Sequence, residues 1–107
     1  MKLMTKDLEA RFAVVGSQDG VSDPLVIAHF FNPAGAGDWY ATEYDPVDRI
    51  LFGYVSIFRD WNDEWGYTSL DELETYKDQF GLGIERDLYW KEKRASEVIP
   101  GFTGFSK

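Results

Sequence analysis

The most concentrated group of ionisable residues in the sequence is Glu85-Arg86-Asp87. On an extended strand, Glu85 and Asp87 would share one face and Arg86 would point to the other. Two carboxylates on one face could act as a general acid and base, or hold a hard cation. We favour a structural interpretation, because ion-pair networks also perturb carboxylates: a surface salt-bridge patch, or Arg86 paired with a carboxylate such as Glu43 or Glu72.

The sequence offers little for nucleophilic or metal-dependent catalysis. It has no cysteine and a single histidine, His29, with no serine motif beside it, so no nucleophilic triad is predicted. A histidine between apolar neighbours is more typical of a hydrogen-bonded core or rim residue than of a base. The segment Asp60–Gly66 superficially resembles a calcium loop, but its sixth position is Trp65 and its twelfth is Asp71, which excludes an EF-hand. We therefore predict no catalytic residue, no metal ligand and no cofactor.

Negative charge is concentrated in the middle of the chain. The net charge is −8, and residues 38–78 contain eleven Asp or Glu against three Lys or Arg. Such a field repels phosphate backbones and attracts basic protein surfaces. The alternative is that the charge only keeps the protein soluble. We therefore expect a basic protein surface as the partner, with no direct binding to nucleic acid. The residues predicted to form the partner-binding surface are Asp60, Trp61, Asp63, Glu64, Asp71 and Glu74.

Aromatic residues support the same interpretation and leave an alternative open. Neighbouring strand residues point to opposite faces, so some of the eighteen aromatic side chains should stay exposed, where they could anchor a protein partner. The alternative is a pocket lined by Trp39, Tyr40, Glu43, Tyr67, Glu85, Arg86 and Asp87. Convergence of Glu43 and 85–87 in a concave pocket would favour the pocket, whereas carboxylates spread over a convex face would favour the surface.

One helix is clearly indicated after an aromatic strand. Ser69 followed by Glu72 has the spacing of a capping box, and Gly81 sits where a left-handed C-terminal cap belongs. The apolar residues Leu70, Leu73, Tyr76 and Phe80 recur at helical spacing, so the pattern predicts a helix over Ser69–Phe80. Near the N-terminus, Thr5 can cap a short helix through about Phe12.

The remaining pattern predicts strands. They are Leu25–Phe31, Trp39–Tyr44, Ile50–Arg59, Glu64–Thr68 and a return strand Ile84–Trp90. The first and third of these are apolar on both faces and should lie centrally, with Gly53 marking a bulge or a close approach. Short turns favour antiparallel pairing. The predicted fold is α+β: an antiparallel sheet of about four to five strands, with one main helix on one face and a short N-terminal helix.

Residues 1–107 are predicted to form one domain, with 91–107 an irregular tail packed on it. The N-terminal residues lack the apolar segment of a signal peptide. The longest apolar run, Leu25–Ala28, is too short to span a bilayer. We expect a soluble cytoplasmic protein with no membrane contact.

Several segments, in this order and spacing, resemble one family. They are Leu3–Leu8, Trp39-Tyr-Ala-Thr-Glu43, Leu51-Phe-Gly53, Glu64–Glu74 and Gly81–Trp90. The chain resembles domain-of-unknown-function family 2958 over roughly residues 1–92. Members are small bacterial proteins often encoded on plasmids, conjugative elements and phages. The resemblance implies a shared fold and a mobile-element setting, and it implies no established activity.

Charge and resemblance together give a functional hypothesis. We expect a non-enzymatic acidic module of a mobile genetic element that blocks a basic nucleic-acid-binding surface of a host protein, as anti-defence or DNA-mimic proteins do. The alternative is a small enzyme or ligand-binding domain with a carboxylate/Arg pocket around Glu43 and Glu85–Asp87.

Overall fold

The structure is a computed structural model that describes residues 2–57 and 63–106. Five consecutive strands lie between its first two helices, as expected for an α+β fold. In chain order they are α1 (Lys6–Val15), β1 (Leu25–Val26), β2 (Ala28–Phe31), β3 (Asp38–Asp45), β4 (Ile50–Ser56), β5 (Glu64–Ser69), α2 (Leu70–Thr75), β6 (Glu85–Arg86), β7 (Lys93–Arg94) and α3 (Ala95–Val98).

Five of the strands form one antiparallel sheet in the order β5-β4-β3-β2-β6. This confirms the predicted fold class. It also confirms that β2 and β4 lie inside the sheet. A separate two-stranded antiparallel sheet joins β1 to β7. The chain therefore crosses from one sheet to the other at Ile27, whose N–H donates to the carbonyl of Ala41 on β3.

One face of the five-stranded sheet forms the main core beneath α1 and α2. The predicted cap of α1 is confirmed, because Thr5 Oγ1 accepts a hydrogen bond of 3.2 Å from the Leu8 N–H. Phe12 of this helix is buried against the sheet. The buried members of the core are Leu3, Met4, Phe12, Ile27, Ala28, Phe30, Ala41, Leu51, Leu70, Leu73 and Ile84.

The opposite face of the sheet carries a second, more aromatic cluster. Its fully buried members come from β1, α3 and the residue after α3, and they are Val26, Ala95 and Ile99. Half-buried rings and aliphatic side chains pack around them: Tyr40, Tyr54, Trp65, Trp90, Val98 and Phe102. Residues 93–102 thus cover this face, so the sheet is packed on both sides.

The predicted helix over Ser69–Phe80 is wrong in its second half. The Ser69 cap is confirmed, since its hydroxyl accepts a hydrogen bond of 3.2 Å from the Glu72 N–H. The helix ends at Thr75, however, and Tyr76 already has extended backbone with ψ of 132°. Of the predicted apolar stripe, Leu70 and Leu73 are buried.

A turn stabilised by Asp78 follows the end of α2. Its carboxylate Oδ1 accepts hydrogen bonds from the N–H groups of Phe80 and Leu82, at 2.8 and 2.9 Å. Gly81 completes the turn with a φ of +80°, so its left-handed backbone serves this turn rather than a helix end. As a result Tyr76 and Phe80 are exposed, by 43% and 78%.

Two predicted strands are shorter in the structure. Leu25–Phe31 is divided between β1 and β2, because its first part pairs with β7 in the other sheet. Of Ile84–Trp90, only Glu85–Arg86 pairs with β2. The predicted strand Ile50–Arg59 runs as β4 to Ser56, and its last two residues lie outside the described ranges.

In the described parts of the chain, no helix is long and apolar enough to cross a membrane.

Candidate functional site

A β-bulge places one carboxylate in a row of side chains across three strands. Ala41 pairs with Gly53 and Glu43 pairs with Phe52, so Thr42 is the extra residue on β3. In a regular ladder Glu43 would lie opposite Leu51, which is buried in the main core. The bulge instead aligns Glu43 with Phe52 on β4.

Gly53 makes this bulge possible. A Cβ at this position would collide with the carbonyl oxygen of Tyr40, so a side chain there cannot be accommodated without moving β3. The prediction that Gly53 marks a bulge or a close approach is therefore confirmed. Phe52 in turn pairs with Tyr67 on β5, which completes a row of Glu43, Phe52 and Tyr67 on one face of the sheet.

This row forms the floor of an open cavity of about 810 Å³, which we call the Glu43 cavity. Its rim comes from the loop after α1 and from the chain near residue 105. Among the described residues, its lining includes two carboxylates and no Lys, Arg or His. The lining residues are Gln18, Asp19, Gly20, Val21, Ser22, Pro24, Thr42, Glu43, Phe52, Tyr67, Phe105 and Ser106.

A buried glutamine holds the loop in place. The side-chain amide of Gln18 donates to the carbonyls of Leu25 and Thr42, both at 2.8 Å, and its oxygen accepts from the Leu25 N–H at 2.6 Å. The backbone N–H of Gln18 donates to Glu43 Oε2 at 3.1 Å. The Glu43 carboxylate is therefore fixed to the loop.

The second wall is held by two hydrogen bonds between Ser22 and Phe105. The Phe105 N–H donates to the Ser22 carbonyl at 2.7 Å, and the Ser22 hydroxyl donates to the Phe105 carbonyl at 2.9 Å. We call this pair of contacts the tail clasp. It requires close approach at Gly104, where φ is +122° and a Cβ would collide with the Ser22 hydroxyl.

A smaller hollow of about 430 Å³ adjoins the Glu43 cavity. The two share Glu43, Phe52 and Tyr67, so this row divides them. Asp45, at the end of β3, and Asp48, on the turn after it, also line the smaller hollow. Its described lining residues again include no Lys, Arg or His, so both hollows have the same sign of charge.

Next to this hollow, Tyr44 is partly buried in the main core. Burial raises the pKa of its phenol above the ordinary value of 10.0. In the described parts of the chain, no group lies within hydrogen-bonding distance of its buried hydroxyl.

His29 lies between two carboxylates, outside the Glu43 cavity. Its Nε2 is 2.8 Å from Asp38 Oδ1 and its Nδ1 is 3.1 Å from Asp87 Oδ2. The ring stacks on Tyr40, with centroids 4.7 Å apart, and also contacts Trp90. A neutral imidazole donates one of these hydrogen bonds and an imidazolium donates both. Both ring nitrogens are thus engaged in joining strands, which confirms the interpretation of His29 as a hydrogen-bonded residue.

The acidic residues of α2 have structural partners. Arg49 Nε is 2.7 Å from Asp71 Oδ1, and Arg49 Nη2 is 2.6 Å from Glu74 Oε1. The Asp71 carboxylate raises the pKa of the Arg49 guanidinium. Glu74 also accepts a hydrogen bond from the Leu3 N–H. Asp71 and Glu74 do share one side of the molecule, but Glu74 is only 22% exposed and ties α2 to the N-terminal segment.

Of the other residues of the predicted partner-binding surface, Asp63 and Glu64 lie at the start of β5. Asp63 accepts a hydrogen bond of 2.8 Å from the Ser56 hydroxyl. Glu64 is exposed at the first position of β5. Asp60 and Trp61 lie outside the described residues.

The residues of the predicted pocket do not form one site, although Tyr40 and Asp87 both contact His29. Trp39 packs against the main core, whereas Tyr40 belongs to the cluster on the opposite face. Glu85 and Arg86 are on β6, which β2 separates from Glu43 on β3. Only Glu43 and Tyr67 of that set line the cavity. Within the described ranges, no three residues among His, Asp and Glu are arranged to hold a metal ion.

Four important residues of the cavity were not predicted: Gln18, Asp19, Phe52 and Phe105. Gln18 and Asp19 lie in a segment rich in Gly, Ser and Asp, which indicates a loop but not its contacts. Phe52 could have been selected, because it follows Leu51 in the alternating pattern of β4 and so faces away from the main core.

A known protein family matches most of the chain. A family model described as "Protein of unknown function (DUF2958)" matches residues 3–98, nearly the whole chain. The chain belongs to this family. The match to the DUF2958 family includes the Gln18 loop, the bulge at Thr42 and all strands of the sheet. No curated protein and no solved structure matches the chain.

Proposed function

We propose that this protein is a non-enzymatic acidic binding module whose partner is a protein with a basic surface. The supporting observation is Tyr67, which is 79% exposed on β5 at the edge of the five-stranded sheet. Exposed carboxylates precede and follow it in the chain: Glu64 at the start of β5, and Asp71 and Glu72 in the first turn of α2. A large exposed ring within a charged rim is the composition typical of a protein interface.

The charge of the molecule supports the choice of partner. The net charge of −8 attracts basic surfaces and opposes contact with phosphate backbones. A basic surface that normally binds nucleic acid has the complementary charge. We therefore extend the proposal to a host protein of that kind, met in the cytoplasm of a bacterium that carries a mobile genetic element. By occupying the surface, the module would block nucleic-acid binding.

The experiment is affinity capture from the host lysate, followed by kinetic measurement with the purified captured protein. The test variant is Glu64→Lys/Glu72→Lys, which reverses two exposed charges, one before and one after Tyr67 in the chain. The matched control is Asp7→Lys/Glu9→Lys, which makes the same change of net charge on two exposed residues in the first turn of α1. Asp71 is left unchanged, because it is paired with Arg49.

We expect the test variant to slow association by at least about tenfold, because steering by charge acts on the on-rate. The control should slow it much less, and added salt should weaken the wild type. The captured protein should also lose its binding to nucleic acid when the module is added. Equal on-rates for both variants, or a captured protein without a basic surface, would show that the acidic residues serve solubility alone.

A small-ligand-binding domain is the second candidate, and the cavity volume is the observation that favours it. A volume of about 810 Å³ lies within the range of small-molecule sites. A thermal-shift screen with small organic cations tests this function. A rise in the melting temperature that Glu43→Gln abolishes would support it, whereas no rise for any compound would exclude this class of ligand.

A further inference from the structure

We infer that the Glu43 cavity is the binding site for one arginine side chain of the protein partner. This inference rests on the proposed function, and it specifies the chemical group that the acidic surface recognises at its centre. It follows from the charge of the cavity, the rings that line it and the contacts that hold it open.

The charge of the cavity selects a cation. Asp19 and Glu43 line it, and its described lining residues include no Lys, Arg or His. No cation of the described chain therefore balances these carboxylates from the cavity wall. The adjoining hollow adds Asp45 and Asp48 near the other side of Glu43. A positively charged side chain would gain favourable interaction with both hollows at once.

The rings beside Glu43 select a flat, weakly hydrated cation. Phe52 and Tyr67 lie next to Glu43 in the same row, with ring centroids 5.0 Å apart, and Phe105 forms part of the rim. A guanidinium group stacks on aromatic faces and donates paired hydrogen bonds to a carboxylate, whereas an ammonium group is more strongly hydrated. A carboxylate next to aromatic rings therefore fits arginine better than lysine.

The cavity is preformed, which lowers the free-energy cost of binding. Gln18 is 7% exposed and bonds to two strands, so its loop is fixed. Ser22 and Phe105 hold the opposite wall through the tail clasp. Binding an arginine side chain therefore requires little further ordering of the protein.

The test uses three blocked pentapeptides that differ only in the central residue, which is arginine, lysine or citrulline. Citrulline has nearly the shape of arginine but no charge. Binding is followed by backbone amide shifts of the full chain in NMR spectra. The variants are Glu43→Gln and Tyr67→Ala, with Glu9→Gln as the control for loss of one exposed carboxylate on α1, outside the cavity and the acidic surface.

Glu43→Gln should fold normally, because its side-chain oxygen can still accept the Gln18 N–H, and Tyr67→Ala removes an exposed ring. We expect the arginine peptide to shift the amides of Gln18, Asp19 and Phe105. Its affinity should fall about tenfold in Glu43→Gln, the size expected for a charge-assisted hydrogen bond, and severalfold in Tyr67→Ala. Glu9→Gln should bind as the wild type does, and the lysine and citrulline peptides should bind more weakly, citrulline weakest.

Two outcomes would overturn the inference: equal binding of the citrulline and arginine peptides, or unchanged affinity in Glu43→Gln. The proposed function can fail separately. If the arginine peptide binds as expected but Glu64→Lys/Glu72→Lys leaves the partner's on-rate unchanged, the arginine site is supported and the proposed acidic interface is refuted. If that variant slows the partner while Glu43→Gln affects neither partner nor peptide, the interface stands and the arginine site does not.

Discussion

Replacing Gln18 by alanine should destabilise the protein more than any other single change in the loop before β1. The side chain is 7% exposed and makes three hydrogen bonds to the backbone of β1 and β3. Alanine removes both the donor and the acceptor. The Leu25 N–H and the carbonyls of Leu25 and Thr42 then lose their side-chain partner.

The size of the effect follows from the burial of these groups. The bond to Thr42 is buried and the two to Leu25 are partly buried. At about 1 kcal/mol for each bond, the loss is about 3 kcal/mol. The folded wild type also pays a conformational-entropy cost for ordering the glutamine side chain. Alanine avoids this cost, which offsets about 1 kcal/mol of the loss. We expect a net loss of about 2 kcal/mol in the free energy of unfolding, measured by urea denaturation with tryptophan fluorescence.

Gln79→Ala is the matched control, because Gln79 is exposed and its replacement should change stability by less than about 0.5 kcal/mol. Gln18→Glu is the sharper variant. It keeps an oxygen that accepts from the Leu25 N–H, but it places a carboxylate against two carbonyl oxygens. At neutral pH it should therefore lower the free energy of unfolding more than Gln18→Ala does. If Gln18→Ala matched Gln79→Ala, water would be replacing all three bonds, and the loop would not be fixed by this side chain.

Four further outcomes are expected. Ser69→Ala should lower the free energy of unfolding by about 1 kcal/mol through loss of the cap on the Glu72 N–H, and an unchanged urea midpoint would contradict this. Gly53→Ala should lower the free energy of unfolding by about 3 kcal/mol, because the added Cβ collides with the Tyr40 carbonyl. A loss below about 1 kcal/mol would show that β3 can move to accommodate the Cβ. Because burial raises the pKa of Tyr44, its phenol ionises at lower pH in the unfolded chain than in the folded protein, and the wild type should lose stability above about pH 10. Tyr44→Phe should lose less stability than the wild type above that pH, and it should be no less stable at neutral pH. Equal alkaline slopes in urea denaturation would contradict this assignment. The protein should not bind duplex DNA at physiological salt, and submicromolar binding in a mobility-shift assay would contradict the proposed function.

The parts of the fold that the sequence predicted are set by local contacts. Thr5 and Ser69 cap helices through hydrogen bonds to residues three positions away, so their spacing is visible in the chain. The end of α2 was missed for a local reason as well. The apolar spacing of Tyr76 and Phe80 continued the helical pattern, but the Asp78 carboxylate binds two backbone N–H groups and stabilises a turn instead.

The Glu43 cavity could be predicted only in part, because it depends on contacts between distant segments. Glu43 and Tyr67 were selected for charge and aromatic character. The bulge at Thr42 decides that Glu43 faces Phe52 rather than Leu51, and alternation of residue types does not show a one-residue shift of register. Likewise Gln18 is fixed by β3, 24 residues further along, and nothing near it in the sequence indicates that partner.

The tail clasp has a consequence for the order in which the molecule is made. The five-stranded sheet contains all its strands once residue 86 is present, but β7, α3 and Phe105 cover its aromatic face and come later. Contacts such as Ser22 with Phe105 join residues far apart in the chain, and contacts of this kind are slow to form. The part of the Trp65 ring that packs on Phe102 and Phe105 therefore stays uncovered until those residues have been added to the chain. The Glu43 cavity gains its second wall at that step, so a nascent chain can hold a folded sheet before the cavity is complete.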